Sequence, residues 1–236
     1  MIMPEPKTLA LVLPEWENFL AEVDLPYPWA LIPVADQPLL AHWLDYALDA
    51  GYARVEVLGN QPQPAIAQWL EAATLWPLER VFRPLQDGAT PPQDAPELRT
   101  LPGMLGANQL VDTPWDLVCL RQTLEQERLE NIPAEDRVGP GCVIAEDVEL
   151  NGPFWIGANV TIEPGVQVHP YTVIAAGSVV GAHASLADCR LEASMQVGPF
   201  THFDGHWAGP GFLLNQAKQI QHHHPDPHIV RAIGSS

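Results

Sequence analysis

Nine histidines occur in the 236 residues, and eight of them lie from His169 onward. Imidazole titrates near neutrality and is the commonest metal ligand, so acid–base or metal chemistry is sought in this second half. His169, His183, His202 and His206 are dispersed, whereas His222-His223-His224-Pro225-Asp226-Pro227-His228 is a dense, metal-capable stretch. That stretch follows a segment, NQAKQIQ, that reads as a short helix, and it has no second cluster beside it in sequence. It is expected to be a solvated tail or a cover for the end of the preceding domain. Cys119, Cys142 and Cys189 form no C-x-x-C, and only Arg190 beside Cys189 offers a cation that would favour a thiolate. An odd cysteine count leaves at least one unpaired, and a reduced, disulfide-free cytoplasmic protein is expected. The carboxylates of the first half show no paired spacing for glycosidase or metal chemistry and read as solvated faces.

Charge excludes one class of partner. Eleven Lys and Arg stand against 29 Asp and Glu, a formal charge of −18. A polyanion would be repelled, so no nucleic-acid partner is expected. No apolar run approaches the ~20 residues that span a bilayer, so no membrane partner is expected either. The opening MIMPEPKTLALVLPEWENF has no basic start and meets Glu15 and Glu17 early, unlike a secretory signal.

The elements that must position the histidines follow from a repeat. From Val138 an aliphatic residue recurs every six positions: Val138, Ile144, Leu150, Ile156, Ile162, Val168, Ile174, Val180 and Leu186. A period of six suits neither a helix nor a hairpin sheet. It suits a parallel β-helix in which each hexapeptide is a short strand plus a turn and three hexapeptides close one coil. Residues 18 apart then stack at ~4.8 Å. The register slips once, resuming at Leu191, Val197 and Phe203, and Gly209-Pro210-Gly211 ends it. About four coils fit residues 138–209.

The first half alternates strand and helix. TLALVLP (8–14), ALIPV (30–34), RVEVLG (54–59) and RVFRP (80–84) read as extended segments. Pro38 opens a helix with an apolar stripe of Leu39, Leu40, Trp43, Leu44, Ala47 and Leu48, capped by Gly51. Residues 64–75 read as a second helix, and Pro114 starts a third. This order implies a parallel, Rossmann-like sheet. Residues 85–113, with four prolines, read as a long loop.

Three motifs carry a resemblance. Leu31-Ile32-Pro33-Val34-Ala35-Asp36-Gln37-Pro38-Leu39-Leu40 is similar to L-x-P-V-x-x-K-P-L-L, Pro114-Trp115-Asp116-Leu117 to P-W-D-L, and residues 197–205 to A-G-H-L-x-Y-x-G-D. With the β-helix they resemble the sugar-phosphate nucleotidyltransferases that bear a C-terminal left-handed β-helix, of the N-acetylglucosamine-1-phosphate uridyltransferase/acetyltransferase type. The resemblance implies nucleotidyl transfer in the first half and acyl transfer in the second. The departures are informative. Where the family places a Gly-rich phosphate loop, this chain has Pro14-Glu15-Trp16-Glu17-Asn18, and Gln37 stands at the family's lysine. Both changes remove phosphate-directed groups, so nucleotidyl transfer is expected to be lost. Pro199 stands at the acetyltransferase's general-base histidine, which leaves His202 and His206 as the candidate catalytic residues. Acyl transfer would draw on acetyl-CoA, whose phosphates leave Arg190, Lys218 and Arg231 as candidate cofactor-binding residues. A zinc enzyme of the γ-carbonic-anhydrase type, which also uses this fold, is an alternative. His169 and His202 lie nearly two coils apart, too far to share one metal within a chain, and no metal ligand is assigned.

The resulting expectation is an α/β plus β protein. A truncated Rossmann-like, nucleotidyltransferase-like domain with linker helix spans 1–137, a left-handed β-helix 138–209, and a tail 210–236. Its partners would be its own copies as a homotrimer, and a nucleotide-sugar or sugar-phosphate ligand. The flanks read as carrying Phe154, Trp155, Val173 and Val179 outward, as apolar surface for that trimer. A non-catalytic binding or scaffold protein that keeps the fold is the other alternative.

Overall fold

The computed structural model describes residues 7–13, 28–31, 33–34, 37–59, 62–85, 114–223 and 225–234. The stretch 14–18 read as the place of the phosphate loop, most of the proline-rich segment 85–113, and His224 lie outside the described residues. The chain divides into two compact units, Met1–Arg121 and Gln122–Ser236.

The first unit contains β1 (Thr8–Val12), β2 (Pro33–Val34), β3 (Gln37–Pro38), α1 (Leu39–Asp49), β4 (Arg54–Gly59), α2 (Pro64–Ala72) and β5 (Glu79–Pro84). β1, β4 and β5 form a parallel sheet in the order β1-β4-β5. Their alternation buries Leu9, Leu11, Val55 and Val57 on one face. The other face carries a surface ion-pair chain in which Arg54 meets Glu56 at 2.7 Å and Glu79 at 2.8 Å. The expected stripe of α1 is buried at Leu39, Leu40, Trp43, Leu44 and Ala47, while Leu48 is exposed. Pro38 lies one residue before the helix in extended backbone, and Gly51 follows its end at φ +73°.

Helix α3 spans Pro114–Asn131. In the second unit four coils of three strands follow. The first has β6 (Val143–Ile144), β7 (Glu149–Leu150) and β8 (Phe154–Ile156); the second β9 (Thr161–Ile162), β10 (Gln167–Val168) and β11 (Thr172–Ile174). The third has β12 (Val179–Val180), β13 (Ser185–Ala187) and β14 (Arg190–Leu191); the fourth β15 (Met195–Val197), β16 (His202–Asp204) and β17 (His206–Gly209). Every coil-to-coil pairing is parallel, and the strands stack as β6-β9-β12-β15, β7-β10-β13-β16 and β8-β11-β14-β17. This is a parallel β-helix in the predicted register. Ile156, Ile162, Val168, Ile174, Val180 and Leu186 all point inward and are at most 1% exposed.

The register shortens twice, not once. Val173 pairs with Arg190, and Arg190 with Trp207, so both steps are one residue shorter than the 18 separating Trp155 from Val173. The missing residue falls at the corner between the second and third strands, at Asp188 (φ +47°) and again at Gly205 (φ +64°).

The segment after residue 209 contributes three strands, which corrects its reading as a tail. β18 (Phe212–Asn215) pairs antiparallel with β17, β19 (Ile220–His223) pairs antiparallel with β18, and β20 (Val230–Ala232) pairs antiparallel with β15. The expected helix NQAKQIQ is instead a turn at 216–219 followed by β19. Asn215 Oδ1 accepts the Lys218 N–H at 2.9 Å, a local bond that competes with helix formation. Leu213 and Val230 join the β-helix core, so this segment caps its C-terminal end. Its approach to the last coil is close: a Cβ at Gly198 would fall on the His228 carbonyl.

Phe154 and Val173 are buried, which corrects their reading as exposed flanks. The outward row of their sheet runs Trp155, Val173, Arg190, Trp207. The α3 residues of the second unit are tied to this side and its corner. Gln126 Nε2 donates to Asp188 at 2.9 Å, Gln122 donates to the same carboxylate, and Tyr171 donates to Glu130 at 2.9 Å.

Candidate functional site

Alternation along the second strand stack places Glu149, Gln167, Ser185 and His202 in one outward row, each just before an inward Leu150, Val168, Leu186 or Phe203. Neighbours in such a row are ~4.8 Å apart at Cα. Gln167 Nε2 donates to Glu149 at 3.2 Å. His202 and Asp204 are exposed on the same face, on either side of buried Phe203. The row therefore ends in an accessible imidazole with a hydroxyl neighbour at Ser185 and a carboxylate two residues on. The hexad pattern contained this row: its members precede the inward aliphatics. Glu149, Gln167 and Ser185 are small or polar residues with no other sequence signal than that position.

His206 opens β17 just past the second shortened corner. Its ring stacks on Phe203 with centroids 5.0 Å apart. Nδ1 lies 3.1 Å from the Asp204 N–H, and Nε2 lies 3.0 Å from the Asn215 amide nitrogen. Burial lowers its pKa below the ordinary histidine value; Asp204 opposes this, and Lys218 and His202 add to it. Both ring nitrogens face protein partners, so His206 is placed to hold structure, while His202 is the imidazole open to solvent.

The three candidate cofactor-binding cations are dispersed differently from the expectation. Arg190 is 6% exposed and points to α3, where Nη1 pairs with Glu125 and Nε pairs with Glu192 at 2.7 Å. Trp207 Nε1 donates to the same Glu192 oxygen at 2.7 Å. Burial works against the charged guanidinium, but the two carboxylates outweigh it, and Arg190 holds its proton more tightly than a free arginine. This interior ion-pair network makes Arg190 a structural cation, not a groove cation. Arg231 donates from Nε and Nη2 to Gln196 at 3.0 and 2.8 Å across the β15–β20 pair. Lys218 is exposed in the cap turn.

The remaining candidates are separated. His169 follows β10, and His183 precedes β13 at another corner, stacked on Phe200 at 5.1 Å. His222 and His223 are exposed on β19. Among the described residues no group of three or more His, Cys, Asp or Glu is placed to hold a metal ion. Burial pushes the Cys189 thiol up to about 12, so Arg190 beside it does not produce a thiolate. In the first unit Gln37 Nε2 donates to Asp45 at 2.8 Å, and Trp76 Nε1 donates to the same carboxylate at 2.7 Å. The position of the resembled family's lysine is thus occupied by an amide engaged within its own unit.

Residues 154–187 match the family described as Bacterial transferase hexapeptide (six repeats). The match begins at β8 and ends at β13. No curated protein matches the chain. The hexapeptide segment is therefore similar to that of bacterial transferases over its central coils, and the match stops short of His202. Among the described residues no helix is long and apolar enough to cross a membrane.

Proposed function

We propose that the β-helix is left-handed and transfers an acyl group, with acetyl-CoA as donor and a nucleotide-linked or free sugar amine as acceptor. The observation that carries this reading is the outward row that runs from Gln167 and Ser185, inside the transferase hexapeptide match, to His202 beyond its end. His202 takes the acceptor's proton as the amine attacks the thioester, and Asp204 on the same face favours the resulting imidazolium. Lys218 and Arg231 supply cations for the donor's phosphates. His206 acts as a positioning residue by fixing the corner behind His202. The first unit is a truncated nucleotidyltransferase-like domain that has lost nucleotidyl transfer. Release of free thiol from acetyl-CoA with amino-sugar acceptors tests the reading. Acceptor-dependent turnover supports it, and none with free or nucleotide-linked amino sugars contradicts it.

The proposal includes a homotrimer. Because α3 is tied to the Trp155–Trp207 side, packing falls to the other two outward rows. The row Val143, Thr161, Val179, Gln196 contains no carboxylate in a chain of −18, so copies meet there with least repulsion. Light scattering in 0.15 M salt is expected to give about three times the 25.9 kDa chain mass. A single-chain mass at all micromolar concentrations contradicts it.

One observation favours a second reading, a binding or scaffold protein that kept the fold. Arg190 and His206, two of the five candidates, are engaged in structural bonding. Under that reading the thiol assay gives no turnover although the fold is intact.

A further inference from the structure

We propose that His206 is an acid-sensitive latch that holds the C-terminal cap on the β-helix and releases it as the pH falls. The latch joins three elements. His206 sits at the start of β17, its Nδ1 lies 3.1 Å from the Asp204 N–H of β16, and its Nε2 lies 3.0 Å from the Asn215 side-chain nitrogen of β18. Both partners present N–H groups. A neutral imidazole has one acceptor nitrogen, so it accepts from one of them in either tautomer; an imidazolium has none and faces donors on both sides. Rotating the Asn215 amide does not relieve this, because its Oδ1 already accepts the Lys218 N–H at 2.9 Å. Rotation would turn the amide nitrogen onto that donor.

The charges around the ring are mixed. Half-burial against Phe203 opposes the cation most; Asp204 favours it, and Lys218 in the cap turn and His202 on β16 oppose it by less. The folded-state pKa is therefore lowered. A group of this sign stabilises the docked cap fully above the ordinary histidine value of about 6.5, and the contribution is lost as pH falls through the lower folded value.

The segment that is released is defined by the fold. Among the described residues β18 pairs with β17 and β19 with β18, the Gln216 N–H donates to the Gly205 carbonyl, and Leu213, opposite Ala208, joins the core. With Nε2 as the acceptor of the neutral ring, protonation removes the Asn215 bond and loosens that hairpin first. β20, held separately on β15 through Val230 and the Arg231–Gln196 bonds, stays longer. The latch stands independently of acyl transfer.

Amide exchange of the full chain between pH 7.5 and 5.0, corrected for the intrinsic rate, tests it. Protection over 212–223 is expected to fall by roughly two- to threefold or more in the wild type, while the coil strands β9–β14 keep theirs. In His206→Gln, which cannot titrate, protection is expected to be flat with pH. In the double variant His222→Ala/His223→Ala the fall is expected to persist. Flat wild-type protection, or an undiminished fall in His206→Gln, overturns the latch. If His206→Gln loses the cap at every pH, the decisive readout is the NMR titration of His206 in the wild type. A midpoint coincident with the loss of protection supports the latch, and a separate midpoint overturns it.

Discussion

Ile174→Asp leaves no folded β-helix. Ile174 is fully buried at the second coil's last strand, stacked between Ile156 below and Leu191 above. Replacing it removes about 1.5–3 kcal/mol of side-chain burial. The aspartate also places a carboxylate among aliphatics, without a cation on the inward side, at a cost of several kcal/mol. Together these approach the 5–15 kcal/mol typical of a whole domain's stability. The variant should be insoluble or lack a cooperative transition. A thermal melt like the parent's would show that the inward register is wrong. Gln167→Asp, on the exposed outward side of the neighbouring stack, is the control and should fold.

Glu125→Ala should be the most damaging change outside that core. It removes one of the two carboxylates that neutralise buried Arg190 and cuts a tie between α3 and the coils. Deleting one partner of a buried pair costs about 3–5 kcal/mol, and the lower end applies because Glu192 remains. The β-helix transition should shift down by roughly 10 °C. Glu125→Leu combined with Arg190→Met should recover part of the loss, because the buried guanidinium is gone while Glu192 still accepts from Trp207 Nε1. If Glu125→Ala melts as the parent does, the α3 contact is not part of the folded core. An unrescued double variant would mean the ionic geometry itself is needed.

The coils were legible because burial in a β-helix imposes one aliphatic residue per turn of a fixed length. Val138 to Leu186 reported that constraint directly. The second shortening at Gly205 was hidden because the next inward residue is the small Ala208, followed at once by Gly209-Pro210-Gly211. That same triplet holds the missed signal for the cap. Pro210-Gly211 joins two apolar runs, and with Gly211 at φ +81° it is a hairpin turn between β17 and β18. The docking face of α3 was invisible for a different reason. Its contacts are Gln122, Glu125, Gln126 and Glu130, polar residues that look solvated in sequence and become buried or bonded only because Asp188, Arg190 and Tyr171 face them. For the site, sequence placed His202 and His206 close together, but could not show that one ring is open and the other held at both nitrogens. The bonding of Arg190 was hidden on the same ground: alternation puts it outward, and a helix lies over it.

Acyl transfer with His202 as the acid–base group is measured by thiol release from acetyl-CoA by the wild type and by His202→Ala. His202 is exposed and lies outside the core, so the variant should melt as the parent does. The claim predicts acceptor-dependent release in the wild type and a fall in kcat of at least about 100-fold in the variant, the usual minimum for a lost general base. Equal rates in the two proteins would contradict it.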